Sequence, residues 1–140
     1  MTKHWLSALA LLAIAGAGDV RASASQWELV RSVPYPTGET QDFVVVPESR
    51  QRDFEYYREI SNTVCGPRTS CMVFFWTSRD NIPTSITFGA AAMRTLTGQY
   101  ERSPNYREPH LRLACWLYPS KEVGEKMDCF YMPGAPSPGK

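Results

Sequence analysis

The segment Cys65-Gly66-Pro67-Arg68-Thr69-Ser70-Cys71 runs directly into Met72-Val73-Phe74-Phe75-Trp76, a short and strongly apolar stretch. A Gly-Pro turn signal precedes the stretch and the polar residues Thr77 to Asn81 follow it. Together these flanks predict one fully buried strand, too short for a helix and too apolar for a sheet face in water. The rest of the chain has to be arranged around a strand that is covered on both sides.

The four cysteines of the 140-residue chain, Cys65, Cys71, Cys115 and Cys129, all lie beyond the first 64 residues. Their context is set by the N-terminus, where Lys3 and His4 precede an apolar run from Trp5 to Ala17 and then Ala22-Ser23-Ala24. That order is the pattern of a secretory signal peptide, with cleavage expected between Ala24 and Ser25. The run is well short of the roughly 20 apolar residues needed to span a bilayer. An exported chain without a stable membrane segment is expected, periplasmic or extracellular. An even number of cysteines in an oxidising compartment points to disulfides.

Cys65 and Cys71 enclose a Gly-Pro turn that can return the chain to bonding distance. Cys115 and Cys129 are equidistant from Glu122, so a hairpin centred there would set them opposite each other. The expected pairs are therefore Cys65–Cys71 and Cys115–Cys129. Zinc is the competing use, but the spacings lack the close C-x₂₋₄-C pairs of structural zinc sites. A redox dithiol is disfavoured on two grounds: the motif is not C-x-x-C, and Cys65 ends a predicted helix where the dipole opposes a thiolate.

Removal of residues 1–24 leaves 116 residues, enough for one core and not two. That remainder carries thirteen basic and thirteen acidic residues, a formal charge of zero. Without a basic run, binding to nucleic acid lacks its main source of affinity, and no nucleic-acid partner is expected.

Residues 26–33 and 42–46 predict two strands, separated by the Pro34-Tyr35-Pro36-Thr37-Gly38 turn. Between residues 48 and 64, Phe54, Tyr57, Ile60 and Val64 recur at helical intervals, with Ser49 as N-cap and Gly66 as stop. After the central strand, Pro83 is expected in the first turn of a second helix whose stripe is Ile86, Ala90, Met93, Leu96 and Tyr100. Residues 110–118 alternate as a strand and residues 127–132 form a last one. The Pro/Gly-rich stretch 133–140 reads as a disordered tail. The sum is a single α+β domain over residues 25–132, β-β-α-β-α-β-β, with a mostly antiparallel sheet of four to five strands and two helices.

Catalytic, metal and cofactor motifs are not recognisable. Gly89 lacks the spaced glycines of a dinucleotide loop, and His110, the one histidine beyond the leader, stands at a strand start. The acidic pairs Asp53/Glu55 and Glu122/Glu125 read as solvated charges. Strand alternation does assemble one candidate surface: Phe74, Trp76, Arg112, Trp116, Tyr118 and Phe130, with Met72 and Met132, fall on a single sheet face. Aromatic residues, Met and Arg are the types enriched in protein interfaces. The favoured function is a non-enzymatic binding or accessory protein that docks a protein partner, or a second copy of itself, through that face. The same residues would be core if other elements cover them. The alternative is a small secreted hydrolase or thiol-disulfide oxidoreductase whose site does not show in sequence.

Overall fold

The computed structural model describes residues 26–118 and 128–136. The expected leader, its cleavage point, the Glu122/Glu125 pair and the end of the tail lie outside the described residues.

Six strands form one sheet in sequential order: β1 (Glu28–Pro34), β2 (Thr40–Val45), β3 (Cys71–Trp76), β4 (Gly98–Arg102), β5 (His110–Ala114) and β6 (Cys129–Phe130). The sheet is mixed, with β2 and β3 parallel, β5 and β6 parallel, and the other three pairings antiparallel. A parallel pair needs a crossover, and between β2 and β3 the helix α1 (Phe54–Cys65) provides it. The apolar run expected to be central is β3, and Val73, Phe74, Phe75 and Trp76 are all buried within it. Its neighbours on either side are β2 and β4, so its backbone is paired along both edges.

Helix α1 forms where the three- and four-residue spacing placed it, and it buries Tyr57, Ile60, Ser61 and Cys65. Its N-cap is Asp53, not Ser49, and Asp53 Oδ1 accepts from the Tyr56 amide at 3.1 Å. Ser49 belongs instead to a single 3-10 turn, Glu48–Arg50, that leads into the helix. At the other end Gly66 adopts φ +52°, a left-handed value that stops the helix at little cost only for glycine.

The second helix is much shorter than its periodicity suggested. Only Ala90–Thr95 is helical, and we call this segment α2. Tyr100, read as the end of a helical stripe, is instead the central residue of β4. The reason lies at Gly98, where the Tyr57 ring packs so closely that a methyl group would stand 2.6 Å from its Cε1. That approach needs an extended strand presenting bare backbone to α1.

Both disulfides form as paired above, with Cα separations of 6.0 Å for Cys65–Cys71 and 5.1 Å for Cys115–Cys129. The geometry behind the second differs from the expected hairpin. Cys129 pairs with Leu113 in a parallel ladder, and Cys115 lies in the 3-10 turn Cys115–Leu117 that ends β5. The last strand is two residues long, not six. After it, Ala135 N–H donates to the Met132 carbonyl in a turn, so this start of the expected tail follows a defined path.

The core faces α1 on one side of the sheet. Tyr57 and Phe75 meet edge to face at 4.7 Å, and the Tyr57 hydroxyl donates to Thr97 Oγ1 at 3.0 Å while Thr97 donates to the Phe75 carbonyl at 2.9 Å. Burial pushes the Tyr57 phenol well above its ordinary pKa, so it stays a neutral donor at any physiological pH. Among the described residues no helix is long and apolar enough to cross a membrane.

Candidate functional site

Register across the sheet sorts the side chains into two faces. Phe43, Phe74, Gln99 and Arg112 lie in one row across β2 to β5, and Gln41, Met72 and Glu101 lie in another on the same side. Trp76 follows Phe74 by two residues and Phe130 pairs with Ala114, which places both on that face. Four of the six expected surface residues, Phe74, Trp76, Arg112 and Phe130, therefore share it.

Trp116 and Tyr118 do not follow by alternation, because β5 ends at Ala114 and the chain turns. Trp116 is half-buried and its indole N–H donates to the Leu96 carbonyl at 3.3 Å. Tyr118 is buried beside the Tyr57 phenol, where its proximity helps to raise that group's pKa.

The shared face is covered over much of its area. Trp76 is fully buried, Phe74 and Phe130 are each at most 9% exposed, and Arg112 is half-buried. The cover is the segment from the 3-10 turn Arg79–Asn81 through α2. Phe88 drives it onto the sheet, meeting Phe74 at 4.8 Å and both Phe43 and Trp76 at 5.6 Å, all edge to face. The Trp76 indole N–H donates to the Ala92 carbonyl at 2.9 Å, satisfying the one polar group of that side chain. Six-residue α2 has no side-chain cap, so these contacts, more than its own propensity, hold it.

Where this cover ends, an open cleft of about 310 Å³ remains over Phe74 and Phe88. Ile86, Met93 and Met132 form its apolar rim, and the amides of Gln41 and Gln99 flank the floor. Ile86 is 39% exposed there. Gln41, on β2, is only 5% exposed. Its Nε2 donates to the Tyr35 hydroxyl at 2.7 Å, while its Oε1 is buried with no hydrogen-bond partner.

A larger cleft, of about 460 Å³, lies on the other face between α1 and β5. His110, Arg58, Asn62, Glu108 and Asp128 surround it above Phe54 and Tyr100. The His110 ring stacks edge to face on Tyr106 at 4.6 Å. No serine, threonine or cysteine lines this cleft among the described residues, so a nucleophile and His110 are not brought together in it. Arg58 is in an ion pair with Glu55. Asp53 holds the helix cap and bonds Arg50 at 2.6 Å, and the Tyr56 amide keeps its carboxyl below the ordinary carboxylate range. The acidic pair Asp53/Glu55 is thus divided between two different arginines.

Among the described residues no cysteine is free and no cluster of His, Cys, Asp and Glu could hold a metal ion. Sequence reasoning missed Gln41 and Phe88. Phe88 is one aromatic in the Pro83 to Gly89 stretch, and its isolation among small polar residues is the signal that was available. Gln41 carried no signal, since its burial follows from strand pairing alone. No protein-family model, curated protein or solved structure matches this chain.

Proposed function

We propose that this chain is an exported, disulfide-stapled binding protein, without catalytic activity of its own, that docks a protein partner in the periplasm or outside the cell. The observation that carries the reading is the open cleft on the second sheet face. It is apolar, rimmed by two methionines and floored by two phenylalanines packed edge to face. Methionine adapts its shape at low cost and makes favourable sulfur–aromatic contacts, which suits a surface that receives a side chain from outside. A few anchors seated in such pockets supply most of the energy of a protein interface.

The docking point is narrower than the face read from sequence. Trp76 and Phe130 are supports beneath or beside it, Tyr118 lies by Tyr57 instead, and the reachable residues are Ile86, Met93 and Met132 around Phe74. Export fits the two disulfides, which persist in oxidising compartments.

The test is a photo-crosslinking residue installed at Met93 in the expressed full chain. The expected result is a covalent adduct with one exported protein, lost when Met132→Asp is added although the variant still folds. Adducts spread indiscriminately over many proteins, or none at all, would overturn the reading. N-terminal sequencing of the exported chain that still begins at Met1 would overturn its processing.

A further inference from the structure

We infer that residues 128–136 form a redox-gated strap: a dithiol that reduces Cys115–Cys129 releases them from the sheet, while the body from β1 to β5 stays folded with Cys65–Cys71 intact. The inference concerns the strap itself and does not rest on the docking reading above.

Very little besides that bond holds the strap. It meets the sheet through β6, whose two residues pair in parallel with Leu113 and Ala114. Parallel pairing is the weaker kind per residue, and two pairs fall short of the usual strand length. Beyond this ladder the strap makes no hydrogen bond or ion pair to the rest of the described residues, and the bond from Ala135 to Met132 is internal to it. Its apolar contribution is Phe130, 9% exposed, and half-buried Met132, whereas Tyr131 is 69% exposed. Ordering the backbone of this whole stretch costs more than one ring and one methionine return. The disulfide makes up the difference by closing the chain over a separation of 14 residues, which restricts the detached state.

The two disulfides differ in access. Cys65 and Cys71 are each 1% exposed. Arg102 closes over the turn between them, donating to the Gly66 carbonyl at 2.9 Å and to the Arg68 carbonyl at 3.1 Å. Cys129 is half-buried and stands on the last strand of the sheet. Thiol–disulfide exchange depends on which sulfur an attacking thiolate can reach, and here that sulfur belongs to Cys129. The reagent's sulfur bonds to Cys129, the Cys115–Cys129 bond breaks, and Cys115 leaves as a thiolate that takes up a proton. The second thiol of the reagent then displaces Cys129 as a thiol and closes the reagent's own disulfide, so two electrons pass from the dithiol to the protein.

The body keeps what it needs to survive this. β5 remains paired with β4 from His110 to Leu113. The most deeply buried side chains, among them Phe43, Tyr57, Ile60, Val73, Phe75 and Trp76, lie on β2, α1 and β3. What the body loses is a wall of the open cleft over Phe74, since Met132 lines it from the strap.

The experiment exposes the oxidised full-length protein to rising dithiothreitol, traps free thiols by alkylation and maps them by mass spectrometry. Amide exchange and the Met132 methyl signal are followed in parallel. Cys115 and Cys129 are expected to be alkylated together, before Cys65 and Cys71. At that stage the β6 amides lose their protection and the Met132 methyl moves to its open-chain position, while the Ile60 and Phe75 amides keep theirs. Reoxidation is expected to reverse both changes. Cys115→Ser combined with Cys129→Ser is expected to show the released strap without any reductant. If that double variant does not fold, the reduced natural chain decides, since it carries no substitution. Loss of protection throughout the sheet on reduction of Cys115–Cys129 would make the bond a global staple and overturn the inference. A strap that stays protected after the bond is reduced, or reduction of Cys65–Cys71 first, would overturn it as well.

Discussion

Arg68 Nη2 donates to Asp42 Oδ2 at 2.8 Å, joining the turn enclosed by Cys65 and Cys71 to a carboxylate that is completely buried in β2. Ser32 and Thr40 also donate to that carboxylate, and Arg68 further donates to the Cys65 carbonyl at 3.0 Å. One guanidinium thus satisfies a buried charge and a helix-end carbonyl at once. Arg68→Met is expected to destabilise the fold by about 3 kcal/mol, because it leaves Asp42 buried without its counter-charge. Adding Asp42→Asn is expected to restore a large part of the loss. Urea midpoints of the two single variants and the double variant check the coupling.

Gly98 takes its importance from the Tyr57 ring. With Tyr57 Cε1 at 2.6 Å and Leu113 Cδ2 at 3.0 Å from an added methyl group, Gly98→Ala forces a fully buried ring to shift. A loss of about 2 kcal/mol is expected, in the range for overpacked cores. Thermal unfolding reads it directly, and an unchanged midpoint would mean that Tyr57 relaxes freely.

Asp53 gives α1 a cap that depends on pH. Its folded pKa lies below the ordinary 3.8, chiefly because its carboxylate accepts from the Tyr56 amide. A depressed folded pKa means that the stabilisation is fully present above the ordinary value and is lost as pH falls through the lowered one. Asp53→Ala is expected to cost about 1 kcal/mol at neutral pH, as cap removal usually does. Denaturation curves recorded at neutral pH and again below pH 3.8 should show the gap between the two proteins closing at the acid end. A gap independent of pH would assign the loss to something other than the charged cap.

Trp116 separates packing from docking. It is half-buried against the core and bonded to the Leu96 carbonyl, so Trp116→Ala is expected to lower stability by about 3 kcal/mol. Crosslinking from Met93 should survive in whatever fraction remains folded. Retained stability with lost crosslinking would place the contact surface around Trp116 instead.

What the sequence showed and what it concealed divides along physical lines. Helix α1 was legible because Phe54, Tyr57, Ile60 and Val64 recur over three turns beside strong stop signals at Gly66 and Pro67. The β3 strand was legible from its apolar run. Residues 86–100 misled because Ile86, Ala90, Met93, Leu96 and Tyr100 satisfy a helical period by coincidence; the close approach of Tyr57 to Gly98 overrides it, and no local pattern encodes that contact. The Cys115–Cys129 pair was identified through a hairpin that does not exist. Equal distance from a midpoint and parallel pairing both put the two sulfurs together, so the right bond followed from the wrong geometry. The cleft at Gln41 was hidden for a related reason, since it is made by the edge of a cover that only the folded chain defines.

The bond between Cys115 and Cys129 also makes a closed ring of the chain between them. A protease that cuts one peptide bond anywhere inside that ring would leave the molecule in one piece, with Phe130 still covalently tied to the body of the sheet and Met132 still beside its cleft. Cutting and loss become separate events, and only a reductant turns the first into the second. A nick in this stretch is survivable while the surroundings remain oxidising.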